Sequence, residues 1–211
     1  MNGPHDEILN VYDVAGSVIG ARPRGEAKRA GLTLGAVHAL VVNSRAEVLL
    51  QRRRADKENG GLWDKSVGGH VSAGEEFDAC LVREAGEELF DDAGCGRVRL
   101  ARSEQELAAL ISGAEPTRSV ALRRVAFQTG LRDVRRAPDG GLRVAVYHVA
   151  VYLGRSELAA ADYRPQPSEI DELRYFPAAE VDRLFLEGQL APNMGFLWLT
   201  QGLSLLALAA R

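Results

Sequence analysis

Arg83, Glu84, Glu87 and Glu88 stand almost side by side in "GGHVSAGEEFDACLVREAGEELF", residues 68–90. The stretch reads as a glycine-rich loop running into a helix, where positions 84, 87 and 88 are i, i+3 and i+4 neighbours on one face. At ~100° per residue, Glu87 and Glu88 fall within about 60° of Glu84. Ala79, Val82, Ala85 and Leu89 gather on the other side. Three carboxylates so close oppose folding unless positive charge sits among them. A hard divalent cation such as Mg²⁺ supplies it: the ion takes several oxygen ligands, keeps part of its water shell and is usually shared with substrate phosphates. The glycine loop can bring a backbone carbonyl alongside. The plainer reading of any one of these glutamates is a solvated helix surface; it is the ensemble that points to a cation site.

Elements on either side must hold this helix in place. "EILNVYDVAGSVIGARP" reads as two short strands around a Gly turn, and "RGEAKRAG" as a short polar helix, so residues 1–32 form an N-terminal elaboration ahead of a main domain at 33–211. "AVHALVVNSRAEVLLQRRR" reads as strand, polar turn and strand, Val- and Leu-rich as a strand covered on both faces should be. Ser103 and Glu106 have capping-box spacing and start a further helix. Segments 119–135 and 142–153 flank "APDGG", a Pro-Asp-Gly turn, and predict a long hairpin. Pro177 begins a helix through "FPAAEVDRLFLEG". The mixture predicts an α/β or α+β class with helices packed on a sheet.

The bulk properties set limits. A chain of 211 residues, 46% hydrophobic and 26% charged, can bury a real core, and a formal net charge of −3 offers no overall field for a nucleic acid duplex or an anionic membrane. Any anionic substrate must be held by local groups. Cys80 and Cys95 have neither metal-ligand spacing nor a disulfide framework, so a reducing cytoplasm is the expected compartment. "MNGPHDEI" lacks the basic and apolar regions of a signal peptide. The C-terminal "GFLWLTQGLSLLALAA", broken by Thr200, Gln201, Gly202 and Ser204, is short for a bilayer span and is expected to pack on the core or form a homodimer interface.

Gly69, Glu75, Arg83-Glu84, Ala85 and Glu87-Glu88 have the identities and spacing of the Nudix box, and the chain resembles that family. "VLLQRRRADKENGGLWDKSVGGHVSAGE" is similar to the branch that also includes isopentenyl diphosphate isomerase. The resemblance implies an α/β Nudix fold, an α/β/α sandwich around a mixed sheet. It implies Mg²⁺- or Mn²⁺-dependent hydrolysis of a small-molecule diphosphate in which a nucleoside diphosphate is linked to another moiety. The metal set becomes Glu84, Glu87 and Glu88 with the Gly69 carbonyl. Arg83 would orient the carboxylates, paired with Glu75. The general base would be Glu84 or a loop residue after the hairpin, Glu169 or Glu172 in "QPSEIDEL". Arg52 and Lys57 align with phosphate-contacting positions, although a solvated strand end explains them too. His70 is a loop-stabilising residue or a metal ligand, His38 and His148 are expected to be packed on strands, and Trp63 to anchor the loop.

Two other functions stay open. One is an isopentenyl diphosphate isomerase, whose catalytic cysteine would fall at Gly68. The other is a Nudix-fold binding protein without turnover. The box itself departs from the family pattern at its end, where Phe90 and Asp91 replace a glycine and an apolar residue. With the next glycine at Gly94, the helix is expected to run about a turn further, through "DDAG". Gly86, costing the helix roughly 1 kcal/mol relative to Ala, predicts a close backbone approach.

Overall fold

A computed structural model describes residues 7–113, 118–136 and 142–210. In chain order the elements are β1 (Ile8–Tyr12), β2 (Val18–Pro23), α1 (Arg24–Arg29), β3 (Thr33–Val42), β4 (Glu47–Arg53), β5 (Trp63–Asp64), β6 (Val67–His70) and α2 (Phe77–Phe90). They continue with β7 (Val98–Ala101), α3 (Glu104–Ser112), β8 (Val120–Arg136), β9 (Leu142–Arg155), β10 (Ile170–Pro177), α4 (Ala178–Leu186) and α5 (Pro192–Ala209).

Alternation along β3 sets the layers. Leu34, Ala36, Leu40 and Val42 belong to one hydrophobic cluster, and Val37, Ala39 and Val41 to another. Successive side chains of a strand point to opposite faces, so an apolar run such as this requires a cover on each side. On one side the cover is α2, through Phe77, Leu81, Ala85 and Leu89. On the other it is α4 and α5, through Val181, Leu184, Met194, Leu197 and Leu205, joined by Ala27 of α1 and Leu107 of α3. The result is the α/β/α sandwich expected.

The sheet runs β10-β4-β3-β9-β8-β7. β3 with β9 and β7 with β8 are parallel, and the other pairs are antiparallel, so the sheet is mixed. β9 takes one edge of β3 along its whole length. The other edge is shared in turn by β1 at Thr33 and Leu34, β6 at Ala36 to Ala39, and β4 at Val41 and Val42. The N-terminal hairpin therefore joins the main sheet directly through β1. β1 also ties down the loop that enters α2: Ala73 N–H donates to Ile8 O at 2.8 Å, and the Asn10 amide donates to Glu75 O at 3.0 Å and accepts from Gly74 N–H at 3.0 Å.

β8 and β9 make the long hairpin, with register shifts at Arg124/Ala126 and Gln128/Leu131. The "APDGG" turn lies outside the described residues. Ser103 caps α3, its Oγ accepting from Glu106 N–H at 3.1 Å, while the Glu106 carboxylate takes Arg102 N–H. α5 packs on the core, as one of the two readings expected, and its opposite face exposes Leu199 and Leu203. Among the described residues no helix is long and apolar enough to cross a membrane.

Two expectations are corrected. α2 does not run through "DDAG": it ends at Phe90, and Asp91 takes the left-handed conformation at φ 52° and ψ 31°. Asp and Asn tolerate that region better than most residues because their short polar side chains bond locally. "QPSEIDEL" is a loop only as far as Glu169, since Ile170 starts β10 and pairs with Arg53 of β4. The close approach expected at Gly86 is present. A Cβ there would lie 2.4 Å from Asp92 O and 3.0 Å from Ala93 Cα, because the chain after α2 folds back over the helix. Gly86→Ala is expected to destabilise the protein by about 1–3 kcal/mol through overpacking, outweighing the roughly 1 kcal/mol that Ala gains in helix propensity. Denaturant unfolding measures the sign, and a stabilised variant would refute it.

Candidate active site

α2 buries Phe77, Cys80, Leu81, Ala85 and Leu89, and this fixes where its acidic face points. Glu84, Glu87 and Glu88 are turned toward β6 and β4 and line a shared cavity. Glu88 is only 7% exposed, which is incompatible with a solvated helix surface. Its Oε2 accepts from Gly68 N–H at 2.8 Å and from Gln51 Nε2 at 3.3 Å. Gln51 is itself buried, and among the described residues its Oε1 has no hydrogen-bond partner. Glu84 lies against Gly69 so closely that a Cβ at residue 69 would sit 1.9 Å from the Glu84 carboxyl carbon. Only glycine permits that approach.

Arg83 gathers the acids. Its Nε and Nη2 grip the two oxygens of Glu75 at 2.9 Å each, and Nη2 also donates to His70 O at 3.2 Å. Nη1 reaches Glu84 at 2.9 Å and Glu87 at 3.2 Å. One planar guanidinium thus spans the loop and the helix, an arrangement a flexible ammonium cannot reproduce. Although burial opposes it, hydrogen bonds from Arg83 and from Ser72 N–H hold Glu75 below the usual carboxylate range. Glu84 and Glu88 go the other way. Burial pushes both upward, Glu88 further through the neighbouring Glu84 charge, and Arg83 only partly offsets the rise at Glu84.

These features test whether a divalent cation fits. A buried Glu88 and a partly buried Glu84, both pushed upward by burial, with an amide oxygen of Gln51 beside Glu88 that has no partner among the described residues, form a hard, oxygen-only donor set suited to Mg²⁺ or Mn²⁺. Among the described residues no three His, Cys, Asp or Glu side chains are placed so that they could hold a metal ion together. Mg²⁺ does not need three, because it keeps several waters and is bound through one or two carboxylates plus substrate phosphates. The donors fit the ion.

The cavity measures about 290 Å³. Of the residues singled out in the sequence, Gly69, Arg83, Glu84, Glu87, Glu88 and Glu169 line it, whereas Arg52, Lys57 and Glu172 do not. Glu169 is ion-paired with Lys57, so Lys57 reaches the site only through that carboxylate. Glu172 lies within β10, 3.6 Å from Arg174. Arg53 replaces Arg52 at the cavity wall, because neighbouring residues of β4 face opposite sides of the sheet.

Other lining residues escaped the sequence reading. Arg24 and Glu7 come from the N-terminal segment, Asp133 and Tyr147 from the hairpin, and Lys65 from the loop before β6. His38 and His70 line the cavity too, and the His70 ring lies 5.6 Å from Tyr147. His148 is packed on its strand as expected: Nδ1 accepts from Gly130 N–H at 3.1 Å and Nε2 donates to Asp13 O at 2.7 Å. Trp63 anchors its loop edge-on to Phe176, at 4.6 Å between ring centroids.

Comparison with known proteins places this geometry in context. The model of the NUDIX domain matches residues 32–106, from just before β3 into α3. An uncharacterized Nudix hydrolase of Nostoc sp. is 41% identical over 85 residues, 39% of this chain and 50% of that protein. A protein of Photorhabdus laumondii named isopentenyl-diphosphate Delta-isomerase 2 is 33% identical over 94 residues, 44% of this chain and 53% of that protein. The chain spans about half the length of these curated relatives. The crystal structure of DR0079 from Deinococcus radiodurans superposes with a TM-score of 0.60 at 20% identity, covering 97% of this chain and all of the other. At that identity the likeness concerns the fold.

Proposed function

We propose, on the match of residues 32–106 to the NUDIX domain model, that the chain is a Mg²⁺- or Mn²⁺-dependent hydrolase of a diphosphate bond in a nucleoside diphosphate linked to another group. The observation that carries the reading is the acidic face of α2: Glu84, Glu87 and the buried Glu88 line one cavity with Gly69, and Arg83 links Glu84 to Glu87.

A bound divalent ion supplies neutralisation of the diphosphate charge and acidifies water. Glu84, Glu87 and Glu88 would hold it, with the Gly69 carbonyl as a further donor. Arg83 keeps Glu84 and Glu87 from splaying apart, and Glu75 keeps Arg83 in the plane that does so. The reaction needs a base. As water oxygen bonds to one phosphorus, the bridging P–O bond breaks toward the other phosphate, and the proton of the water passes to a carboxylate. Glu84 suits that role because burial lifts it toward neutral pH, and because Glu169 is tied to Lys57. The two free thiols suit a reducing compartment such as the cytoplasm.

The isomerase reading finds less support. It requires a thiol at Gly68, where a Cβ would sit 2.3 Å from Lys65 Cε. Cys80 does not substitute for it: its Sγ donates to His70 O, and burial pushes the thiol well above its ordinary value.

The test is a panel of ADP-ribose, dinucleotides, nucleoside triphosphates and coenzyme A derivatives incubated with Mg²⁺, with phosphate released by a coupled phosphatase as the readout. Turnover of at least one that disappears with EDTA is expected. No turnover of any, with isopentenyl diphosphate converted to its dimethylallyl isomer, would replace hydrolysis by isomerisation. Binding of a panel member without turnover would favour the non-catalytic Nudix-fold reading.

A further inference from the structure

We propose that Lys65, a residue outside the acidic box, is a phosphate-binding residue of the cavity, stretched over Gly68 and anchored by the buried carboxylate of Asp64. The inference rests on the diphosphate reading above and names a residue that reading does not use.

The argument begins with charge. A diphosphate entering beside three carboxylates needs cations in the same cavity, and those it meets must also neutralise the acids, as Lys65 and Arg53 do in part for Glu88. Arg83 is not available, since Glu75, Glu84 and Glu87 already occupy its donors. At the N-terminal side Arg24 is paired with Glu7 at 3.5 Å. Lys65 and Arg53 remain on the cavity wall.

Lys65 is the more constrained of the two. It is 4% exposed and lies beside Asp64, which is 3% exposed. Its Nζ donates to Asp64 Oδ1 at 2.9 Å, and the same oxygen takes Lys65 N–H at 2.8 Å. Arg53 Nη1 stands 3.8 Å from the other Asp64 oxygen, its Nε held by Glu58 O at 2.8 Å. One buried carboxylate therefore anchors two cations at the wall.

An ammonium has three donors, and among the described residues Asp64 is the hydrogen-bond acceptor Lys65 uses. An ammonium has no lone pair to give a metal ion, so the guest it would serve is an anion. Its stem needs the bare backbone of Gly68, where a Cβ would meet Cε at 2.3 Å and Nζ at 3.1 Å. Gly68 and Gly69 thus do separate jobs: the first admits the lysine and the second admits Glu84.

The test uses methylenediphosphonate, which cannot be hydrolysed at its bridge, so that binding is read apart from turnover. Its affinity in Mg²⁺ buffer is measured by calorimetry. Lys65→Met is expected to weaken binding about ten- to a hundredfold, the usual effect of losing a charge-assisted hydrogen bond. The Mg²⁺-induced rise in melting temperature should remain.

Gly68→Ala, which keeps the lysine but displaces it, should lose a similar factor, and combining it with Lys65→Met should add nothing. Should Lys65→Met fold poorly because Asp64 is left alone, Asp64→Asn/Lys65→Met removes both charges together and should show the same weakening. Affinity within about twofold of wild type in a folded Lys65 variant overturns the proposal. So does loss of the Mg²⁺ shift along with it, which would mean that the lysine acts through the acidic face. A wild type that shows the Mg²⁺ shift yet does not bind the diphosphonate overturns it as well, leaving hydrolysis to be judged by the substrate panel.

Discussion

Glu84→Gln is expected to lower kcat by about three orders of magnitude on any substrate the wild type turns over, within the ~10²–10⁴-fold typical of a lost general base. Glu169→Gln and Glu172→Gln are expected to stay within a few-fold. The difference follows from position. Glu84 is wedged against Gly69 and fixed by Arg83 at 2.9 Å, so its oxygens are held where a water beside the acidic face would be met. Glu169 lines the cavity but is engaged by Lys57, and Glu172 stands on β10 beside Arg174. Melting temperature against Mg²⁺ on the same variants separates the roles, because an ion that binds only the folded state raises its stability by mass action. Glu84→Gln should shrink that rise, and Glu87→Gln with Glu88→Gln should abolish it. A Glu169 variant that loses most of its kcat while keeping the full rise would move the base to the loop.

Arg83→Met should produce the largest loss of stability of any single change at the site. It leaves Glu75, Glu84 and Glu87 facing one another without their common cation. Severing a buried ion pair by removing one partner costs about 3–5 kcal/mol. The Arg83 side chain is 27% exposed, so the lower end, about 3 kcal/mol, is expected. In a chain of this size that corresponds to a fall of roughly 6–12 °C in melting temperature. Arg83→Lys should recover only part, since an ammonium cannot grip both Glu75 oxygens and reach Glu84 and Glu87 together. Denaturant unfolding at neutral pH measures the difference. A change under about 1 kcal/mol, the size expected of a surface pair, would mean that the cluster is held by something other than Arg83.

How much of this could be read from the chain depends on the distance over which each relation acts. The acidic face was legible because i, i+3 and i+4 spacing is a property of the helix alone. So were the two-faced burial of β3 and the cap at Ser103. The choice of Arg52 over Arg53 was not, because which side of a strand faces the site is set by the sheet it joins, and β4 lies between β10 and β3. Arg24, Asp133 and Tyr147 carry no local mark. They reach the cavity because β1, β8 and β9 are assembled around β3 in a particular register. The end of α2 misled for a different reason. Glycine is the usual left-handed terminator, but Asp91 adopts that conformation itself, and the backbone turns there without waiting for Gly94.

The parallel pairing of β3 with β9 bears on how the protein is made. Thr33 pairs with Val146, so on the order of a hundred residues must leave the ribosome after β3 before its full-length neighbour arrives. Until then β3 has only short strands on its other edge, and its apolar residues lack half of their cover. Pairings of such long sequence separation are slow to form and leave an open edge exposed in the meantime. β6, which carries Gly68, Gly69 and His70, is hydrogen-bonded to β3. The candidate site at β6 is therefore expected to become rigid late in synthesis, and a nascent chain stalled before β9 should bind holdase chaperones and show no Mg²⁺-dependent protection from proteolysis.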